Sequence, residues 1–300
     1  MKFATILLEG RQVVAVLNEE NSIIVPLNDA EEQRTGKRPF PDDMIQCIEM
    51  GNDFLKNAKD VAVWANENLS ATVKLEEVKI LAPIPKPRKN IFCVGKNYEE
   101  HAIEMGSKDD IPEHVMVFTK APTTVIGPDE TVPDHKDVSE QLDYEGELCV
   151  VIGKKGKAIS QDKALEHVFG YTILNDITAR DLQAKHKQFF IGKSLDGSGP
   201  LGPVIVDKSA IPNPNKLNIS TKVNGEVRQN SNTEHFIFSI EEVISVLSKG
   251  MTLEPGDLIA TGTPAGVGKG FKPPRFLRDG DLVEIEVEGI GVLRNTVGKD

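Results

Sequence analysis

The amino-acid sequence predicts an α+β protein built mostly from β-strands. Short β-branched stretches outnumber the segments whose apolar residues recur at helical spacing, and glycine-rich turns separate many of them. Strands and helices do not alternate regularly, which argues against a doubly wound parallel sheet. We therefore expect a mostly antiparallel β-roll, and 300 residues suffice for one large domain or two modest ones.

A proline-rich stretch marks the expected domain boundary. It reads Ala82-Pro83-Ile84-Pro85-Lys86-Pro87-Arg88, and each proline fixes φ and removes an amide donor, as suits an extended linker. The sequence therefore predicts a small N-terminal α+β domain over residues 1–82 and a larger domain over residues 83–300.

Two short strands and one helix are expected in the N-terminal domain. The strands cover residues 5–8 and 13–17. Apolar residues then recur at helical spacing over residues 54–65, with Asn52 and Asp53 as candidate N-caps. This domain contains no convincing catalytic pattern.

Capping residues define two helices of the larger domain. One is expected over residues 97–105 and ends at Gly106. The other begins with the capping box Ser239-Ile240-Glu241-Glu242 and ends at Gly250. Between them, Asn224-Gly225 separates two β-branched stretches and predicts a tight hairpin.

Composition excludes several classes of function. The net charge is −11 and the basic residues are scattered, so nucleic acid and anionic membrane surfaces are poor partners. No apolar stretch approaches the roughly 18 residues of a membrane span, and the N-terminus turns charged before a signal-peptide core can form. Three cysteines without a CxxC pair indicate neither a disulfide framework nor a thiolate zinc site. We expect a cytoplasmic protein.

Three acidic residues give the most informative pattern. Glu145 and Glu147 lie two apart in a predicted strand over residues 143–152, so both point to one face. Asp176 follows a second apolar strand, just before a helix expected to begin near residues 177–181. Together, the three carboxylates would form an all-oxygen site that selects Mg²⁺ or Mn²⁺ over Zn²⁺. Taken separately, the glutamates also suit a solvent-facing strand, and the aspartate a helix cap.

A histidine and a glutamate offer a second pattern. His101 and Glu104 are three residues apart and share a face of the predicted helix, where the carboxylate would raise the basicity of the imidazole. Such a pair can activate water as a general base, although an ordinary surface ion pair has the same spacing. Gly95 and Gly106 bracket the segment, which suggests a mobile lid.

The glycine-rich stretch over residues 261–270 is not a phosphate loop. No glycine stands five residues before Gly268, and Gly270 occupies the position where a Walker motif needs Ser or Thr. A loop whose amides and Thr263 hydroxyl hold a carboxylate is still open. Lys193, taken alone, is typical of a surface lysine.

These patterns occur together and in one order, and in this respect the sequence resembles the fumarylacetoacetate hydrolase family from about Pro83 to the C-terminus. Each motif is weak alone, whereas six in sequence are specific. The matching motifs are Gly95-Lys96-Asn97-Tyr98 with His101, Phe118-Thr119-Lys120, Asp143-Tyr144-Glu145-Gly146-Glu147-Leu148, Gly170-Tyr171 through Asn175-Asp176 to Ala179-Arg180-Asp181, Gly192-Lys193-Ser194, and Thr261-Gly262-Thr263-Pro264 with Gly266-Val267-Gly268.

The resemblance implies a mixed β-sandwich roll, a homodimer, and bound Mg²⁺ or Mn²⁺. It also implies roles for nine residues, in three groups. The metal ligands are Glu145, Glu147 and Asp176; the catalytic residues are His101, Glu104 and Lys193; the residues that line or brace the substrate site are Arg180, Gln183 and Thr263. A further aspartate ligates the metal in the larger eukaryotic hydrolases, and we identify no equivalent here.

The implied chemistry is cleavage of a carbon–carbon bond in a small 2-oxo acid. Hydrolysis of an acylpyruvate and decarboxylation of oxaloacetate both leave electrons that must be held as an enolate, which a chelated divalent ion stabilises. Hydrolysis additionally needs a base for water, the role of His101 with Glu104. Isomerisation of an unsaturated 2-oxo diacid is a less favoured alternative, because isomerase relatives generally lack that pair. A metabolite-binding or interaction protein of low turnover is another.

Overall fold

Strand pairing divides the chain into one large sheet, one smaller sheet and one short pair in the computed structural model, which describes residues 1–20 and 22–299. The strands are β1 (Lys2–Leu8), β2 (Arg11–Asn18), β3 (Ile23–Pro26), β4 (Val73–Lys74), β5 (Lys79–Leu81), β6 (Ile91–Gly95), β7 (Met116–Lys120), β8 (Val125–Ile126), β9 (Val132–Pro133), β10 (Leu142–Asp143), β11 (Gly146–Ile152), β12 (Val168–Asn175), β13 (Thr178–Ala179), β14 (Gly199–Asp207), β15 (Asn218–Val223), β16 (Glu226–Asn232), β17 (Leu258–Ala260), β18 (Leu282–Val287) and β19 (Gly291–Gly298). The helices are α1 (Leu27–Thr35), α2 (Met44–Glu49), α3 (Asn52–Glu67), α4 (Glu99–Met105), α5 (Arg180–His186), α6 (Phe190–Lys193) and α7 (Ile240–Ser248).

The large sheet runs through the whole molecule. Its strand order is β4-β3-β2-β1-β14-β12-β11-β17-β6-β7, with β5 on β1 and β8 on β14. The smaller sheet has the order β16-β15-β18-β19-β9, and β10 pairs with β13. Most pairs are antiparallel, while parallel pairs join β8 to β14, β6 to β17 and β9 to β19. This architecture confirms the predicted α+β class.

Strand β11 is central because both of its faces are covered. Leu148 and Val150 face the smaller sheet, whereas Cys149 and Val151 belong to a second apolar core that includes α3. Gly146 lies on the face toward the smaller sheet, where a Cβ would stand 2.3 Å from the Thr221 hydroxyl. Because Gly146 has no side chain, the two sheets can pack against each other beside the glutamates.

The N-terminal region shares this sheet and one core with the rest of the chain. In β1, Lys2 and Phe3 pair with Val206 and Ile205 of β14. The Phe3 ring centroid lies 5.5 Å from that of Phe169 in β12. The predicted division between residues 82 and 83 therefore falls in a chain whose two parts are joined by strand pairing and apolar contact, and the division itself stays a prediction.

Local predictions hold for three elements. Strands β1 and β2 cover the two predicted N-terminal strands and are slightly longer. Asn224 and Gly225 have φ of 52° and 79°, as a tight hairpin turn requires. Ser239 caps α7, since its hydroxyl accepts from the Glu242 N–H at 3.2 Å.

Two predicted helix starts were wrong by one or two residues, and a third was confirmed. Helix α3 is capped by Gly51, with φ of 61°, and not by Asn52 or Asp53. Helix α4 begins at Glu99 because the Asn97 side chain instead bonds the backbone of Phe238 and Thr261. Helix α5 begins at Arg180, within the range predicted for its start, and the two residues before it form strand β13 with β10.

Within the described residues, we find no helix that combines the length and the apolar character needed to cross a membrane.

Candidate active site

The three predicted carboxylates converge where β11 and β12 meet. Glu145 precedes β11, Glu147 lies within it, and Asp176 follows β12. The antiparallel register puts Gly146 opposite Asn175, and the Asp176 N–H donates to the Glu145 carbonyl at 2.8 Å. One carboxylate oxygen of each residue lies within 4.8 Å of those of the other two, and all three residues are buried. We call this set the carboxylate cluster.

Three buried cations surround the carboxylate cluster. Lys193 Nζ lies 2.8 Å from Glu145 Oε2 and 2.7 Å from Asp176 Oδ2. Arg180 Nη1 lies 2.7 Å from Glu145 Oε1, and Lys120 Nζ lies 2.9 Å from Asp176 Oδ1. Buried charges persist only when they are paired in this way. Lys193 is therefore no surface lysine, and it contacts two of the predicted metal ligands.

Glu147 differs from its two neighbours. Its Oε2 accepts the Gly262 N–H at 2.8 Å, and it forms no ion pair with any residue that the structure describes. Burial, followed by repulsion from Asp176 and Glu145, raises the pKa of Glu147 well above its usual value. For Glu145, burial would raise the pKa, but the charges of Lys193 and Arg180 outweigh it and lower the pKa to about 2.

This electrostatic imbalance is what a bound cation would correct. A dication beside Glu147 would stabilise its ionised form, which the protein alone disfavours. The donor set consists only of carboxylate oxygens, the ligands that hard divalent ions prefer. The residues of the carboxylate cluster therefore fit a divalent metal.

The predicted pair His101 and Glu104 lies on one face of α4, and we call it the dyad. Its closest approach is 3.4 Å between His101 Nδ1 and Glu104 Oε2. Glu104 Oε1 also accepts the Gly266 N–H at 3.0 Å. A Cβ on Gly270 would come within 2.1 Å of Glu104 Oε1, so this glycine makes room for the dyad. The glycine-rich loop thus binds one carboxylate of each pattern: the Gly262 N–H donates to Glu147, and the Gly266 N–H donates to Glu104.

One cavity of about 220 Å³ joins most of the predicted residues. Glu104 and Asp176 lie just behind its wall and reach it through His101 and Lys193. The lining residues are Val94, Gly95, Lys96, His101, Met105, Phe118, Glu145, Glu147, Arg180, Gln183, Ala184, Phe189, Lys193, Thr263 and Lys269.

Two predicted substrate-site residues are engaged with the protein itself. Gln183 Oε1 accepts from Arg180 Nη1 at 3.2 Å. The Thr263 hydroxyl donates to the Gly146 carbonyl at 3.0 Å and accepts from Gln229 Nε2 at 2.7 Å. Thr263 therefore braces the backbone between the two glutamates. Arg180 Nη2 is buried without a hydrogen-bond partner in the described chain.

Sequence reasoning missed three residues that hold the site together. Lys120 is fully buried and, besides its ion pair with Asp176, donates to the Ile177 carbonyl at 3.0 Å. Asp143 accepts from Arg180 Nε at 2.8 Å and from the Gly268 N–H at 2.7 Å. Gln229 Oε1 accepts the Gly146 N–H at 3.0 Å. Lys120 and Asp143 stand inside quoted motifs, which was the available signal, whereas nothing in the sequence marks Gln229.

A buried acidic cluster with perturbed pKa values, opening into a small cavity beside a histidine, is typical of an enzyme site. Comparison with known proteins specifies the family. The model of the fumarylacetoacetate (FAA) hydrolase C-terminal family matches residues 90–298. The chain belongs to the fumarylacetoacetate hydrolase family, a family of enzymes, and the resemblance in the sequence is confirmed.

Individual relatives cover nearly the whole chain. Oxaloacetate tautomerase YisK from Bacillus subtilis (strain 168) is 56% identical over 302 residues, covering 99% of this chain and 100% of that protein. The structure of fumarylacetoacetate hydrolase from psychrophilic Exiguobacterium antarcticum has a TM-score of 0.84 and 41% identity, covering 100% of both chains. That of 2-hydroxyhepta-2,4-diene-1,7-dioate isomerase from Mycobacterium marinum has a TM-score of 0.72 and 30% identity, covering 100% and 99%.

Proposed function

We propose that the protein interconverts the keto and enol forms of oxaloacetate or a closely similar 2-oxo acid, with Mg²⁺ or Mn²⁺ at the carboxylate cluster. The observation that carries this proposal is the buried carboxylate cluster that shares one small cavity with His101. The name of the Bacillus subtilis relative, 56% identical to this chain, supports oxaloacetate as the substrate.

The metal would be held by Glu145, Glu147 and Asp176. When bound, such an ion supplies positive charge that stabilises the negative charge of the enolate. Lys193 lines the same cavity with a buried ammonium group and would add to this stabilisation. Its contacts with Glu145 and Asp176 fix its position before substrate arrives.

His101 would move the proton. Its imidazole takes a proton from the carbon next to the oxo group, the C–H electron pair forms the new C=C bond, and the carbonyl π pair moves to oxygen. Return of the proton to that oxygen gives the enol, so atoms and electrons balance. Glu104, held by the Gly266 N–H, would fix the imidazole tautomer and orient the ring.

Carbon–carbon cleavage, which the sequence alone favoured, is the second candidate, and the dyad is the observation in its favour. Decarboxylation and acylpyruvate hydrolysis share the enolate with tautomerisation, and hydrolysis also needs the base that His101 offers. The names of the solved relatives, a hydrolase and an isomerase, are consistent with one scaffold serving several such reactions. Tautomerisation is the favoured candidate because it requires only the proton transfer by His101.

A direct assay separates these candidates. The enol absorbance of oxaloacetate is followed with Mn²⁺ or Mg²⁺ and then with excess chelator, while pyruvate release is measured in the same samples. We expect metal-dependent relaxation of the enol band that outpaces pyruvate release, above controls with metal alone and with a Glu147→Gln protein. Equal rates would indicate decarboxylation, and loss of acetylpyruvate would indicate hydrolysis. An absence of turnover with every acid would favour a binding protein.

Two further expectations stay predictions. All three cysteines are free and buried, which supports a reducing compartment such as the cytoplasm. The family resemblance implies a homodimer, which light scattering on the purified protein would test.

A further inference from the structure

The cations of the cavity differ in how they are paired. Lys193 and Arg180 are bound to the carboxylate cluster, and Lys96 Nζ lies 3.0 Å from Asp110 Oδ1. Lys269 also lines the cavity. Across residues 1–20 and 22–299, however, its ammonium group forms neither an ion pair nor a hydrogen bond. Lys269 therefore offers a positive charge that the protein leaves unused.

The backbone of Lys269 is fixed relative to the carboxylate cluster. Its N–H donates to Asp143 Oδ2 at 3.0 Å, and the same oxygen accepts from Arg180 Nε at 2.8 Å. Arg180 in turn bonds Glu145. This chain of contacts sets the base of the Lys269 side chain at a defined place beside the metal ligands, while the residue itself is exposed.

The surroundings of Lys269 favour an anion. Although the residue as a whole is exposed, partial burial of its ammonium group, and then the nearby Arg180 charge, lower the pKa of Lys269. Arg180 Nη2, buried and unpartnered in the described chain, adds a second unused donor on the same side. An unpaired lysine at the exposed edge of the cavity, together with an unpartnered guanidinium N–H group deeper in it, matches a substrate that is negative at both ends.

We propose that Lys269 binds the distal carboxylate of a dicarboxylic 2-oxo acid and so makes the site prefer diacids over monoacids. This inference rests on the proposed function, in which the 2-oxo and adjacent carboxylate groups occupy the metal end of the cavity. The second carboxylate then points toward the rim, where Lys269 is the cation without a partner. Lys96 is less suited because Asp110 already neutralises it.

The test compares two acids in three variants. Calorimetry with Mn²⁺ present measures the binding of oxaloacetate and of pyruvate, a 2-oxo monoacid without a distal carboxylate, and steady-state kinetics on oxaloacetate run in parallel. Lys269→Met should weaken oxaloacetate binding about tenfold to a hundredfold, the effect of losing a charge-assisted hydrogen bond, mostly through KM. Pyruvate binding should change less than threefold, and Lys269→Arg should restore most of the loss of oxaloacetate binding. Lys272→Met, an exposed lysine three residues further on that lies outside the cavity lining, is the matched control.

Other results would contradict the role assigned to Lys269. Equal weakening of both acids would overturn the assignment, because Lys269 would then support the site in general. An unchanged oxaloacetate affinity would overturn it directly. If the unmodified protein binds oxaloacetate without turning it over, the proposed function fails while the binding comparison still judges Lys269. If the unmodified protein binds neither acid, both the proposed function and the role of Lys269 are overturned.

Discussion

The carboxylate cluster and the dyad face one cavity but are built differently. The carboxylate cluster sits on β11 and after β12, two fully buried and mutually paired strands, and ion pairs surround it. The dyad sits on α4, a helix of seven residues that depends on the glycine-rich loop for its contacts. Short helices gain little stability of their own. We therefore expect the strands that carry the carboxylate cluster to be more stable than the helix that carries the dyad.

The largest expected effect on turnover comes from removing the charge of one predicted metal ligand in the carboxylate cluster. Glu147→Gln replaces a carboxylate by a poor ligand for a hard cation, so metal affinity and turnover should fall together. We expect a loss of roughly a thousandfold in turnover, since a catalytic metal contributes several kcal/mol. Manganese titration and the oxaloacetate assay measure both quantities. The matched control is Glu286→Gln, an exposed glutamate on β18. Normal turnover with the metal still bound would remove Glu147 from the ligand set.

Removing the base should distinguish the role of the dyad from that of the carboxylate cluster. His101→Ala should lower tautomerisation about a hundredfold, the usual contribution of a general base, because His101 carries the proton. Decarboxylation should fall less, since it needs only charge withdrawal and later protonation. Manganese affinity should be unchanged, in contrast to Glu147→Gln. His114→Ala, an exposed histidine, is the control. Equal losses in both reactions would contradict this division of roles.

Removing a buried counter-charge tests how the carboxylate cluster is stabilised. Lys120→Met leaves Asp176 with Lys193 as its remaining ion-pair partner, and breaking a buried pair costs about 3 kcal/mol of unfolding free energy. Denaturant unfolding of the metal-free protein measures this cost. The exposed pair of Lys79 with Glu130 provides the control, because Lys79→Met should change stability by roughly 0.5 kcal/mol or less. A similar small change for Lys120→Met would mean that Lys193 alone suffices.

The same comparison explains which features the sequence could predict. The period of two along a strand placed Glu145 and Glu147 on one face, and the apolar run before Asp176 placed it at the end of a neighbouring strand. Helical spacing likewise joined His101 to Glu104. Such local rules do not reach Gln229, which comes from the smaller sheet and contacts Gly146 over 83 positions of sequence. Nor did they show that Lys193 is buried, because its burial depends on pairing between distant segments.

The smallest expected effect is a difference in amide hydrogen exchange between strand β11 and helix α4. Amides of β11 are bonded on both sides, by β12 and β17, so they should open only with global unfolding. Amides of α4 should exchange at least tenfold faster, because a helix of seven residues gains little stability of its own and depends on contacts such as that of Glu104 with Gly266. Glu104→Gln weakens that contact and should speed exchange in α4 further without changing β11. Equal protection of both segments in the ligand-free protein would argue against the lid and place the dyad on a scaffold as rigid as the sheet.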